Sequence, residues 1–255
     1  MSIKKKNQNI IGILLITIVI LIFIILISLY AYARLTPDSI SQYNVFIIDV
    51  TNKLSPQQKG ELINNFEKYI NESPKNSWHE FYKVDSIEGE LLKPILQSKS
   101  NYSDVEPKNY LTSSPVRQKK LWLDNFVTPF KDHLEESFNN PESPKSPILE
   151  SIQSAAITCL NKPEALKTPR RIILVSDLMQ NTDGMNFYQG IPAFDNLKQN
   201  EYYRKTRTNL KGVSFEIWKL NDNLSKKERD KLIDLWSKII DDQRAVMKPI
   251  ITISG

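Results

Sequence analysis

The stretch 46–58, FIIDVTNKLSPQQ, constrains the fold more than any other part of the chain. An unbroken apolar run, Val45 to Ile48, leads straight into Asp49. Thr51 follows two positions later, and Ser55-Pro56 then opens a helix. An apolar run of strand length without polar alternation is the pattern of a strand covered on both faces. A strand that ends on a carboxylate and turns directly into a helix belongs to an open α/β sheet. The C-terminal edge of such a sheet is where ligands and metals bind.

The rest of the chain repeats this alternation. Residues 43–48, 78–84, 172–176 and 213–220 read as strands, and 249–253 as a closing strand. Residues 90–96 read as an edge strand, and the Ser-, Asn-, Asp- and Pro-rich stretch 97–116 as a long loop. Helices are expected from Ser55 to near Asn71, over 120–138, from Ser146-Pro147 to Leu160, and after Ser225. Residues 184–200 read as loop with a short helix. Ser55, Ser146 and Ser225 each read as an N-cap, with a capping box at Ser55/Gln58 and Ser225/Glu228. This order predicts a doubly wound, mainly parallel sheet with helices on both faces.

Residues 10–29 stand apart from that domain, because none is charged and nearly all are apolar. About 20 such residues span the roughly 30 Å of a bilayer core. Lys4, Lys5 and Lys6 precede the run and only Arg34 closely follows it. The positive-inside bias therefore places the N-terminus in the cytoplasm. The expected organisation is a cytoplasmic N-terminus (1–9), a transmembrane signal anchor (10–33), a tether (34–42) and one domain (43–255). The protein would be single-pass in the inner (plasma) membrane, with its domain in the periplasm or outside the cell. A cleaved signal peptide is the alternative, with Ala31-Tyr32-Ala33 as its site. The apolar run is longer than the about 7–15 residues of a signal h-region, which argues for a retained anchor.

Charge excludes one class of partner. Four of the 34 basic residues, Lys4, Lys5, Lys6 and Arg34, lie in the first 34 positions, which hold no acid. The body keeps 30 basic against 29 acidic side chains, no footprint for nucleic acid. Cys159 is the single cysteine, so no intrachain disulfide forms. The two histidines, His79 and His133, lie away from the motif segments and do not make a zinc site.

Two further segments can reach the edge marked by Asp49. They are KSPILESI, carrying Ser146, and IILVSDLMQ, carrying Asp177. In this order the three segments resemble the von Willebrand factor A-type domain, in particular a membrane-anchored bacterial variant with an Asp-x-Thr start. The family motif is Asp-x-Ser-x-Ser after the first strand, a Thr or Ser before a later helix, and an Asp after a following strand. Asp49 and Thr51 match the first two positions, and Lys53 stands where the second Ser would be. Ser146 resembles the later hydroxyl and Asp177 the final Asp. The resemblance implies a metal-ion-dependent adhesion site with Asp49, Thr51, Ser146 and Asp177 as ligands. Mg²⁺, or Mn²⁺ or Ca²⁺, would be held by their hard oxygens. An acidic residue of a protein partner would complete the coordination.

The expected function is a non-enzymatic, membrane-anchored extracytoplasmic binding module. A structural envelope subunit with a degenerate, metal-free edge is the alternative, and Lys53 argues for it. In that case Asp49 accepts backbone N–H groups, Ser55 and Ser146 only cap helices, and Asp177 caps a turn beside Asn181. An Mg²⁺-dependent phosphohydrolase is the weaker alternative. The Asp-x-Asp-x-Thr loop of haloacid-dehalogenase-like enzymes needs a second acid where this chain has Thr51. With seven glycines in all, the chain also shows no Gly-rich phosphate loop. Ser176 lacks the Gly-x-Ser-x-Gly frame of a nucleophile.

Overall fold

The computed structural model describes residues 2–35, 40–49, 54–74, 76–84, 91, 94, 96–99, 114–139 and 145–254. Helix α1, Ser2–Leu35, comes first. Its stretch Ile13–Tyr32 has a mean hydropathy of 3.3 and is long and apolar enough to cross a membrane. The body follows with β1 (Tyr43–Ile48), α2 (Pro56–Glu72), β2 (Trp78–Lys83), β3 (Leu96–Lys99) and α3 (Pro115–Trp122). A π-helical turn, Leu123–Val127, joins α3 to α4 (Thr128–Asn139). Then come α5 (Ile148–Ala155), prolonged by a π-helical turn to Leu160, α6 (Pro163–Leu166) and β4 (Arg170–Ser176). A small hairpin of β5 (Asn181–Thr182) and β6 (Met185–Asn186) precedes α7 (Phe194–Gln199) and α8 (Glu201–Thr206). The chain ends with β7 (Val213–Leu220), α9 (Lys226–Asp242), β8 (Val246–Met247) and β9 (Ile251–Ile253).

The main sheet runs β3-β2-β1-β4-β7, with β8 and β9 both along the outer edge of β7. Every pairing is parallel except β2 with β3. Alternation along the buried strands divides the core into two layers. Tyr43, Val45 and Ile47 of β1 pack with Ile148, Leu149 and Ile152 of α5 and with Leu232 and Trp236 of α9. Phe46 and Ile48 pack on the other face with Leu62 and Phe66 of α2 and Phe130 of α4. Two covered faces explain why the strand sequences are apolar runs. The expected doubly wound, mainly parallel architecture is what the chain adopts.

Several boundaries differ from expectation. The edge strand is Leu96–Lys99, not 90–96, and it takes three residues from the expected loop. An edge strand tolerates polar residues, so Gln97-Ser98-Lys99 carries no apolar signature. The helix expected over 120–138 begins earlier, at Pro115. Short elements also went unread: α8 has six residues and β8 two, too few to show a period. Ser55 and Ser225 form complete capping boxes. Ser146 does not cap: the cap position of α5 is Pro147, which makes no side-chain cap bond.

Candidate metal centre

Strand order reverses between β1 and β4. Connections from β1 run outward to β2, while β4 leads the other way to β7. A crevice opens at the C-terminal ends of strands at such a switch point. Asp49 directly follows β1 and Asp177 directly follows β4, so register sets both at this crevice.

The Asp49 side chain is buried, and its backbone N–H donates to the Val175 carbonyl at 2.8 Å. Its Oδ2 accepts two hydroxyl bonds, from Ser146 Oγ at 2.8 Å and Ser176 Oγ at 2.8 Å. Ser146 and Ser176 are themselves buried. Ser176 lies on the next strand, one register step beyond the Ile48–Val175 pair, so it stands beside Asp49. Its Oγ also accepts the Leu178 N–H at 2.8 Å. Asp177 points its Oδ1 at the Met179 N–H, 2.9 Å away.

Ser146 is placed by a backbone bridge to Asn181. Its N–H donates to the Asn181 carbonyl at 2.8 Å, and its carbonyl accepts the Asn181 N–H at 3.0 Å. The helix start it precedes is served by a distant side chain. Gln180 Oε1 accepts the Leu149 N–H at 3.0 Å. That leaves the Ser146 hydroxyl to reach Asp49, which is the physical reason it does not cap. The turn between Asp177 and Gln180 is also strained. Leu178 adopts φ 71°, a left-handed conformation costly for a branched residue. Trp236 of α9 holds it there by donating its Nε1–H to the Leu178 carbonyl at 2.9 Å.

Of the four residues expected at this edge, Ser146 and Asp49 are thus in direct contact. Asp177 lies one residue beyond Ser176, the second serine bonded to Asp49. Thr51 falls outside the described residues, as does Lys53. Ser176 is a further member of the site. The signal for it is a hydroxyl at the residue in register with Asp49 on the neighbouring strand. Lys219 carries no local sequence signal for its place on the next strand. It pairs in register with Ser176, and its buried ammonium donates to the Leu220 carbonyl at 3.1 Å and to Asp222. Asp222 takes Arg229 as well, at 3.1 and 3.0 Å. Burial pushes the Asp222 carboxyl up, but these cations outweigh it and hold it below the usual carboxylate range.

The donor set at the Asp49 edge is all oxygen: two carboxyls and two hydroxyls. Among the described residues there is no group of three or more His, Cys, Asp or Glu able to hold a metal. The set therefore suits a hard cation that takes hydroxyl and water oxygens, not a soft or imidazole-preferring one. Beside it lies an open cleft of about 700 Å³ lined by Lys145, Asn181, Asp183, Asn186 and Asn200 among others.

No protein-family model and no curated protein matches the chain. Solved structures that it resembles include proximal thread matrix protein 1 of the mussel byssus, with a TM-score of 0.42. They also include the ArnB paralog VWA2 of Sulfolobus acidocaldarius and a von Willebrand factor type A protein of Catenulispora acidiphila, each with a TM-score of 0.41. Sequence identity is 11% in all three. The matches take in 84, 85 and 80% of this chain but 44, 42 and 41% of those chains. This chain therefore spans less than half the length of the proteins it matches. By its strand order and its antiparallel edge strand, the body has a doubly wound, mainly parallel fold. It is preceded by one apolar helix.

Proposed function

We propose that the protein is a membrane-anchored, extracytoplasmic binding module without catalytic activity. Its Asp49 edge holds a divalent cation, Mg²⁺ with Mn²⁺ or Ca²⁺ as alternatives, and takes an acidic residue of a protein partner. The observation that carries this reading is the convergence of the Ser146 and Ser176 hydroxyls on Asp49 Oδ2, both at 2.8 Å, at the switch point. Asp49 and Asp177 supply negative charge, while Ser146, Ser176 and Thr51 supply neutral hydroxyl oxygens. A cation so held, with only two carboxylates, stays electrophilic enough to accept one more from outside. The Asn-rich cleft beside the Ser146–Asn181 bridge gives a partner a polar surface to fill. Helix α1 supplies the anchor, and Lys4 to Lys6 favour a cytoplasmic N-terminus.

Thermal melting of the full chain in detergent tests the reading, with Mg²⁺, Mn²⁺ or EDTA added. A ligand that prefers the folded state stabilises it by about 2.7 kcal/mol at a hundred times its dissociation constant. The wild-type chain should melt higher with the cation, and Asp49→Ala should abolish the shift.

A second reading is a structural envelope subunit with a metal-free edge. Its support is the closed set of bonds: both hydroxyls already donate to Asp49, and Asp177 already accepts the Met179 N–H. Lys53, an ammonium where the family places a hydroxyl, points the same way. No cation-dependent shift of the wild-type chain would select this second reading. The phosphohydrolase reading still lacks the second acid it needs at position 51, which is Thr.

A further inference from the structure

The starting edge of the main sheet is basic. Register sets Tyr43, Arg170 and Val213 in one row, and Val246 of β8 pairs one step further on, with Ser214. The segments that lead into β4, β7 and β8 therefore meet at this edge. They bring Lys167, Arg170, Arg207, Lys211 and Arg244, and Arg204 stands beside them in the last turn of α8. All six are exposed except Arg170, which is half-buried. Hydrogen bonds join the segments into one surface. Arg170 Nη2–H donates to the Lys211 carbonyl at 2.7 Å, and the Leu210 N–H donates to the Gln243 carbonyl at 2.7 Å. Arg207 Nε–H reaches Asp242 Oδ2 at 2.8 Å. Arg204, Arg207 and Arg244 border an open cleft of about 440 Å³.

Three acids lie in the same segments: Glu164, Asp241 and Asp242. Six cations against three acids leave +3 at this edge, whereas the whole body has 30 basic against 29 acidic groups, or +1. Asp242 is moreover held by Arg207 and by Tyr203 Oη at 2.9 Å. The chain leaving α1 enters at this edge. The Tyr43 N–H donates at 2.8 Å to the carbonyl of Pro169, which lies between Lys167 and Arg170 in sequence, and the Gln42 carbonyl accepts the Trp78 N–H at 2.8 Å. Seven residues separate Tyr43 from the end of α1 at Leu35. At about 3.4 Å per residue these reach roughly 24 Å at most. A cationic edge tethered that close to a bilayer meets its headgroups at high effective concentration, and anionic headgroups attract it.

We propose that the starting edge of the sheet docks on the anionic surface of the bilayer into which α1 inserts. Lys167, Arg170 and Lys211 lie against the headgroups, and the cleft between Arg204, Arg207 and Arg244 seats a lipid phosphate. Arginine suits that seat because its planar fork can give two N–H groups to one phosphate. The parallel strands then stand along the membrane normal. Asp49, at the far end of β1, is turned away from the membrane toward a partner. This rests on the reading of α1 as a membrane span, which the experiment reads separately.

The full chain is reconstituted in vesicles of phosphatidylcholine alone or with phosphatidylglycerol, each carrying a headgroup nitroxide. A fluorophore is attached through Leu166→Cys, beside Lys167, or through Tyr188→Cys. Both side chains are exposed in the wild type, and Cys159 is fully buried and does not compete for the label. Tyr188 belongs to the other end of the body, since the N–H of its neighbour Phe187 bonds the Gln180 carbonyl beside the Asp49 site. An alkaline wash followed by sedimentation reads the anchor. The proposal expects the chain to stay with the vesicles, with quenching at 166 in the phosphatidylglycerol vesicles, little in phosphatidylcholine alone, and none at 188. A chain that stays with the vesicles but is quenched at 166 in neither overturns the docking and spares the anchor. A chain washed off overturns the anchor and the docking with it. Equal quenching at 166 in both vesicles overturns the role of charge, and equal quenching at 166 and 188 overturns the upright orientation. Removing one charge, Lys211→Gln, should weaken docking in the phosphatidylglycerol vesicles roughly fivefold, read from the quenched fraction during a NaCl titration. An unchanged titration would exclude Lys211 from the docking surface.

Discussion

The Ser146 hydroxyl donates to Asp49 Oδ2 at 2.8 Å, joining residues 97 positions apart across the top of the sheet. This bond ties the start of α5 to the end of β1. Among the described residues its loss leaves the Ser176 hydroxyl on this buried carboxylate oxygen. A hydrogen bond to a charged group is worth about 1.5–3 kcal/mol. Ser146→Ala should therefore lower unfolding stability by about that amount in urea titration. In the cation-binding reading it should also shrink the Mg²⁺-induced rise in melting temperature. A variant as stable as wild type would show that this bond adds nothing.

The turn beside the site stores strain that can be read directly. Leu178 is fully buried at φ 71°, and Trp236 Nε1 holds its carbonyl at 2.9 Å. Leu178→Ala and Leu178→Gly both empty the same pocket. The left-handed backbone disfavours Ala by roughly 1–2 kcal/mol, so the Gly variant should be the more stable of the two by about that amount. Denaturant midpoints compare them. A more stable Ala variant would mean that the turn relaxes once the leucine is gone.

What the sequence made legible follows the range of each interaction. The capping boxes at Ser55 and Ser225 formed as expected because cap and partner lie three residues apart. Ser146-Pro147 looks locally like Ser55-Pro56, yet Ser146 bonds Asp49 instead. The difference lies in Gln180, 31 residues beyond Leu149, whose N–H it takes over. No local pattern carries that information. Ser176 carries no local mark for the same kind of reason, because its neighbour is chosen by strand register. The strand and helix cores were legible because two-sided burial writes them as apolar runs and stripes. The polar edge strand at 96–99 has no such mark.

Glu80 is a buried carboxylate outside the candidate site, and its full set of donors predicts a structural part. Oε1 accepts Tyr43 Oη at 2.9 Å, Trp78 Nε1 at 2.7 Å and Lys162 Nζ at 3.0 Å, while Oε2 accepts Tyr82 Oη at 2.8 Å. These bonds join β1 and β2 to the loop before α6. Glu80→Ala removes the shared acceptor of four donors at once, and breaking a buried charged network costs about 3–5 kcal/mol. Glu80→Gln keeps the shape but turns one acceptor into an NH₂ facing donors, so it should also destabilise, by about 1–3 kcal/mol. Urea titrations that place Glu80→Gln at wild-type stability would contradict this assignment.

Acid should lower the stability of the protein over two pH intervals, and the groups responsible can be separated. His79 is fully buried between Phe46 and Phe126, and its Nε2 has no hydrogen-bond partner among the described residues. Burial pushes its pKa down from 6.5 to about 3. Between those values the unfolded chain binds a proton that the folded chain refuses, so stability falls as pH drops from about 6.5 toward 3. Burial pushes the Glu80 carboxyl up, but its bonds from Lys162, Tyr82 and Trp78 outweigh it and hold it below its ordinary 4.5. Its contribution is present above 4.5 and is lost only as pH falls below that value. Loss of stability between 6.5 and 4.5 is therefore assigned to His79, and loss below 4.5 to His79 together with the carboxyls held low, Glu80 and Asp222 among them. His79→Leu keeps an apolar side chain between the two rings and removes the titration. Urea titrations at a series of pH values should show a slope for wild type from 6.5 to 4.5 that is flattened in His79→Leu, with the steeper fall below 4.5 retained. A wild-type profile already flat over that upper interval would mean that water reaches the ring and that its burial is incomplete.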